Sequence, residues 1–287
     1  LTKKKIIFWV CDYSRQTGEG NLARKFIQEK YNNKRIKIKT LKIKSFLNYK
    51  YIVPYIGIFF CWKYYLKGHQ VGYINYLPLW NFFIFLFLPP KTIFGPITGG
   101  AFYKKSNKFN FFIRKFIFPI FYKLSEIFIN IRKKNVVIFS TELLKKNLSK
   151  KTFKKSKFNY VLENFKFKKR KVKNIDFLIY YRKHDNKVTF FKYDFIKNLN
   201  KTRFRVFVIG DKLEVHGISN LGYINKRKLS NLQARSKYTI CSGENIYTFF
   251  VLECISNHVK ILTEKKHIKQ IKFLKKFLIF FDDFENK

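Results

Sequence analysis

Short apolar runs rich in isoleucine, phenylalanine and valine return along this chain at intervals wide enough to hold a helix. That alternation restricts the fold more than any other feature. Runs stand at Lys5–Cys11, Ile36–Ile43, Val71–Tyr76, Thr92–Phe94 and Val136–Phe139, and again at Asn174–Tyr181, Phe204–Ile209, Ser219–Tyr223, Lys237–Cys241 and Val259–Leu262. Between them lie segments that can be helical, among them Leu22–Lys30 with Asn21 as its cap, Phe111–Ile131, Val188–Asn200, Lys226–Ser236 and Ile246–Asn257. Strands separated by helices must be joined by crossovers, which predicts parallel sheets with helices on their faces.

A chain of 287 residues, 47% hydrophobic, can fill two medium cores. The stretch Lys145–Lys173 is crowded with lysine and lacks a continuous apolar stripe, so the connection between domains is expected there. The predicted class is α/β, two Rossmann-like domains facing across a cleft, with an N-terminal domain over 1–160 and a C-terminal one over 161–287.

Four cysteines, Cys11, Cys61, Cys241 and Cys254, show no CxxC spacing and read as reduced thiols of a cytoplasmic protein. Five scattered histidines form no HExxH pair, so neither a metal nor another cofactor is expected. The uncharged run Val71–Pro90 is broken by Gly72, Asn75, Pro78, Asn81 and Pro89-Pro90, which argues for strand, loop and short helix in place of a membrane span.

The formal charge of +44 favours anionic partners, although an AT-rich coding bias would write the same lysines. Arg182 and Lys187 follow the first strand of the second half, five residues apart, where a guanidinium fork and an ammonium could grip a diphosphate; two solvated loop cations are the plain alternative. Gly210-Asp211 ends the next strand as a turn or as part of a ligand loop. Glu244 stands between Gly243 and Asn245 at an expected helix start, and Glu253 interrupts an apolar run, so each is a candidate to accept hydrogen bonds from hydroxyls. Compensation of the helix dipole would also account for Glu244. Gly18-Glu19-Gly20 and the loop Gly95 to Gly100 allow close backbone approach to a ligand, or are simply tight connections.

With these residues in order, the chain resembles GT-B glycosyltransferases of the retaining group 1, or family four. That resemblance implies a nucleotide-sugar donor and a saccharide or lipid-linked acceptor, in cell-surface polysaccharide or glycolipid synthesis. It implies that Arg182, Lys187 and Glu244 are catalytic, and that Gly18, Gly20, Gly210, Asn245, Ile246, Tyr247 and Glu253 line the donor. Asn75, Trp80, Gly99 and Gly100 would then lie on the acceptor side. The pattern departs from the family in two places: eight residues separate Glu244 from Glu253, one more than usual, and Asn245-Ile246-Tyr247-Thr248 replaces a glycine-rich stretch. Only 34 residues follow Glu253, so the second domain is expected to be short.

A different class of reading is a basic nucleic-acid-binding protein without catalysis, but no recognition motif for it stands in the chain, and no nucleic-acid partner is expected. Peripheral attachment to an anionic membrane surface on the cytoplasmic side is compatible with sugar transfer. A C-terminal helix with Lys265, Lys269, Lys272 and Lys276 opposite Ile268, Ile271, Leu274 and Leu278 would serve it, or would pack on its own domain.

Overall fold

The computed structural model describes residues 5–15, 17–32, 35–40, 49–99, 108–132, 136–183, 188, 191–199, 204–241, 245–265 and 272–285. They fall into two compact units, one reaching Glu163 and the other running from Asn164.

The first unit holds a parallel sheet in the order β2-β1-β3-β4, built from β1 (Ile6–Val10), β2 (Ile36–Lys39), β3 (Gln70–Ile74) and β4 (Ile93–Phe94). All five residues of β1 are buried, as an inner strand covered on both faces must be. Ile6 pairs with Ile36 on one side and Gln70 on the other. Helix α1 (Gly18–Tyr31) links β1 to β2, and α2 (Tyr49–Leu66) links β2 to β3. Gly57 lets α2 settle onto the buried Trp9, because a Cβ there would lie 2.2 Å from Trp9 Nε1. Helix α3 (Phe82–Phe87) precedes β4, and α4 (Lys108–Phe112) runs through a π turn (Ile113–Ile117) into α5 (Phe118–Arg132).

The lysine-rich stretch after residue 145 is structured. It forms α6 (Lys150–Lys154), and β6 (Ser156–Lys157) pairs with β5 (Val137–Ile138). Aromatic side chains anchor it, with Phe158 stacked on Phe139 and Tyr160 edge-on to Phe26. Beyond Glu163 the chain runs along the second unit, where Lys168 N–H donates to Ser256 O.

That unit is a six-stranded sheet with every pair parallel, in the order β12-β11-β10-β7-β8-β9. Its strands are β7 (Ile175–Tyr181), β8 (Val206–Gly210), β9 (Ser219–Asn220), β10 (Ser236–Ile240), β11 (Lys260–Thr263) and β12 (Leu278–Phe280). The helices are α7 (Tyr193–Leu199), α8 (Lys226–Arg235), α9 (Phe249–Ser256) and α10 (Phe281–Glu285). Phe177, Ile179, Val208 and Leu262 form the centre of the core.

Three expectations are corrected. Helix α1 begins at Gly18, not after Asn21, because Thr17 Oγ accepts the Gly20 N–H at 3.0 Å and caps the helix earlier. Helix α9 begins only at Phe249, where Thr248 Oγ accepts the Val251 N–H, so Asn245, Ile246 and Tyr247 precede it. The C-terminal amphipathic helix does not run through Leu278: residues 272–277 form a 3₁₀ turn, and Leu278–Phe280 adds a strand to β11. Sheet pairing there overrides the helical spacing of the lysines, while Ile268, Lys269 and Ile271 lie outside the described residues.

Candidate functional site

In an open parallel sheet, ligands collect outside the carboxyl ends of the strands where the strand order reverses. In the second sheet the chain steps outward from β7 to β8 and β9, then returns to the other side of β7 with β10. The reversal therefore lies between β7 and β10. Arg182 follows the end of β7 and is exposed; Cys241 ends the run of β10 and leads into 242–244. Lys187, Gly243 and Glu244 lie outside the described residues.

The ends of β7 and β8 are locked together. Gly210 has φ +98°, and a Cβ on it would stand 2.2 Å from Tyr181 O, so only glycine fits. Its conformation turns Asp211 back over β7. There Asp211 accepts the Tyr223 hydroxyl at 2.6 Å and the Lys183 N–H at 2.7 Å. Those two hydrogen bonds, with Arg182 and Lys183 nearby, hold the Asp211 carboxyl below its ordinary pKa. Asp211 is thus a fixed anion whose carboxylate lies within electrostatic reach of the exposed Arg182.

On the β10 side, Asn245 Oδ1 accepts the Tyr247 N–H at 2.9 Å, an Asx turn that sets the chain for α9. Ile246 and Tyr247 are buried, so their side chains build the core and only their backbone can meet a ligand. Glu253 is held by α8, with Gln233 Nε2 donating at 3.4 Å and the Lys226 ammonium forming an ion pair at 3.8 Å. The rings of Tyr180 and Phe250, 5.5 Å apart, fasten α9 against β7.

The first sheet reverses between β1 and β3. Here Asn75 bridges the strand ends: its Oδ1 accepts the Asp12 N–H at 3.2 Å, and its Nδ2 donates to Asp12 O at 2.5 Å and to Glu19 O at 3.2 Å. Asp12 Oδ1 accepts the Ser14 N–H at 2.8 Å, and Oδ2 accepts the Thr17 hydroxyl at 2.5 Å. Gly18 is exposed, whereas Gly20 is buried against Ser14, whose carbonyl oxygen would stand 2.1 Å from an added Cβ. Gly20 therefore serves packing within the loop. Asn75 and Tyr76 both take positive φ, 54° and 48°, an unusual pair that this hydrogen-bonded cluster sustains.

The segments bearing Trp80 and Gly99 run side by side, since Thr98 N–H donates to Leu77 O and Leu79 N–H to Thr98 O. Trp80 stacks on Phe118 with centroids 5.2 Å apart. Gly99 is exposed with φ +124°, and Gly100 lies outside the described residues.

No family model matches the chain, and no curated protein does. Among solved structures, a protein from Listeria monocytogenes described as a UDP-N-acetylglucosamine 2-epimerase is similar with TM-score 0.51 and 9% identity, over 96% of this chain and 82% of that one. A glycosyltransferase from Rickettsia africae ESF-5 gives 0.49 and 11%, over 91% and 79%. The heptosyltransferase WaaC from E. coli, solved with ADP, gives 0.32 and 9%, over 90% and 86%. The chain has the GT-B class of fold. Two Rossmann-like parallel-sheet units in series are what it shares with the Listeria protein, and at that identity the likeness is one of fold.

Sequence reasoning missed two groups. Tyr223 had been read only as the end of a strand, yet it fixes Asp211. Glu19, which reads only as part of the glycine loop Gly18-Glu19-Gly20, has its Oε2 sealed from solvent and without a hydrogen-bond partner, while the Tyr76 backbone N–H reaches the carboxyl. Burial pushes this carboxyl up to about 7. A raised acid favours the folded state most below its unfolded pKa near 4.5, and that stability is lost as pH rises through about 7. Glu19→Gln is therefore expected to leave stability at pH 4.5 nearly unchanged and to raise it at pH 8 by up to about 3 kcal/mol, flattening the pH dependence of urea midpoints. An unchanged profile would show that the carboxyl is solvated.

Proposed function

We propose that this protein is a glycosyltransferase that moves a sugar from a nucleotide-sugar donor to a hydroxyl of a saccharide or lipid-linked acceptor, with retention, in cell-surface polysaccharide or glycolipid synthesis. The observation that carries the reading is the strand reversal between β7 and β10, where Arg182 stands exposed beside a fixed Asp211. In this reading the donor diphosphate lies at that edge. Arg182 and Lys187 take up the negative charge that grows on it as the bond to the sugar breaks, and Glu244 holds the sugar hydroxyls. Glu253 accepts from the ribose. Such catalysis relies on positioned charge and needs no protein nucleophile.

The test is a thermal-shift series with UDP, GDP, ADP and their sugar conjugates, since a ligand that binds only the folded state raises the melting temperature by mass action. A rise of several degrees with one nucleotide class, absent in Arg182→Ala, supports the reading. No shift with any of them would overturn it.

A further inference from the structure

The first unit carries a surface that a water-facing protein does not normally build. Helix α2 covers the sheet with Val53, Ile58 and Cys61, which are buried. Its opposite face should then be polar. Instead Ile52, Tyr55, Phe59, Trp62 and Leu66, spaced by three and four along the helix, are all exposed, Phe59 by 67% and Leu66 by 77%. The stripe continues onto α3, because Trp62 Nε1 donates to Phe87 O at 2.7 Å and both Phe83 and Phe87 are exposed. From α3 it passes to α4 and α5. Phe82 packs on Phe121 at 5.1 Å, and Arg132 donates to Leu86 O and Pro89 O. On those helices and the π turn that joins them, Phe109, Phe112, Phe116, Ile120, Ile127 and Ile131 are exposed in turn.

Charge identifies what covers this face. Between Leu41 and Arg132 the sequence holds 13 lysines and arginines and a single acid, Glu126. Glu126 is buried and occupied by Ser149, whose N–H and hydroxyl both donate to it. Lys63, Lys115 and Lys123 stand among the exposed apolar residues. A second copy docked on the same face would bring cations against cations with no carboxylate to receive them. A bilayer containing anionic phospholipid supplies both halves, acyl chains for the aromatic stripe and phosphates for the lysines. Among the described residues no helix is long and apolar enough to cross a membrane, so the contact is interfacial.

We propose that the α2–α3–α5 face of the first unit is a docking surface for an anionic phospholipid bilayer, lying in the headgroup region with Trp62 and Phe59 immersed. This is independent of the sugar-transfer reading, because it concerns lipid binding by the protein alone. The experiment is co-sedimentation with vesicles of phosphatidylglycerol in phosphatidylcholine, at low salt and at 0.5 M salt, about five-fold beyond the ionic strength at which exposed charges are screened over 10 Å. Wild type should retain binding at high salt, and Phe59→Glu with Leu66→Glu should weaken it at least about tenfold while preserving the circular dichroism spectrum. As a second measurement, brominated lipid should quench tryptophan emission in the otherwise native Trp80→Phe protein, since Trp9 is buried. Binding abolished by salt and indifferent to the double substitution would reduce the effect to net charge and overturn the proposal. So would a dimer in sedimentation velocity that the double substitution dissociates, with no quenching by brominated lipid.

Discussion

Replacing Arg182 with alanine is expected to lower the rate of sugar transfer by about 10²–10³-fold, a loss of roughly 3–4 kcal/mol of transition-state stabilisation. The melting temperature should move little, because the side chain is exposed and supports no packing. Two other substitutions sharpen the result. Arg182→Lys keeps the charge but loses the two-pronged guanidinium contact, so it should recover only part of the rate. Asp211→Asn removes the anion beside Arg182 while leaving an acceptor for Tyr223, and should change the binding of nucleoside diphosphate more than it changes stability. Donor consumption followed at saturating and at limiting donor separates the two effects. A rate for Arg182→Ala within twofold of wild type would remove the diphosphate from this strand end.

Gly210→Ala is expected to be the most damaging single-methyl change in the second unit. The added Cβ meets the Tyr181 carbonyl at 2.2 Å and the Tyr180 ring at 3.1 Å, and φ of +98° is strained for any residue with a side chain. Neither obstacle is a flexible side-chain tip, because the carbonyl belongs to the central strand of the sheet. A cost of about 2–4 kcal/mol follows from combined backbone strain and overpacking, which for a unit of this size lowers the melting temperature by on the order of 10 °C. Gly222→Ala is the matched control: its φ is +65°, but a Cβ there meets nothing within 4 Å, so it bears strain alone. Calorimetry that finds the two variants equally stable would mean that the strands separate readily at this point.

Much of the architecture was legible in the sequence, because buried parallel strands advertise themselves. Asn174–Tyr181 was expected and Ile175–Tyr181 is found; Val259–Leu262 was expected and Lys260–Thr263 is found. The start of α1 was misread since two glycines look like a loop. The decisive fact, that Gly20 lies against the Ser14 backbone under a Thr17 cap, depends on contacts between residues that local propensity does not weigh. The C-terminal misreading has the opposite origin. Lysines and apolar residues at helical spacing satisfy a local rule, and an open edge of β11 defeats it.

The site was legible in its chemistry and only partly in its geometry. Arg182 and Asp211 were picked out as residue types at strand ends, and the sheet order is what makes that edge a strand reversal. Glu19 could not have been found from spacing, because an acid between two glycines reads as a loop residue facing water, and its burial depends on the Tyr76 backbone far along the chain. The exposed apolar face of α2 was hidden for a related reason. Helix α2 is apolar on every side, and a sequence pattern cannot say which side the sheet covers.

The place of β7 in its sheet also bears on how the chain is made. Synthesis delivers this central strand before any of its neighbours, and the Thr239 hydroxyl that meets Leu178 O arrives 61 positions later. Until then a seven-residue, largely apolar ribbon waits with at least one row of amides and carbonyls unclaimed, which is the condition under which nascent chains pair wrongly with one another. Slow elongation through 182–236 would prolong that exposure, and a chaperone that shields Ile175–Tyr181 would be expected to raise the yield of soluble protein more than one that acts after release.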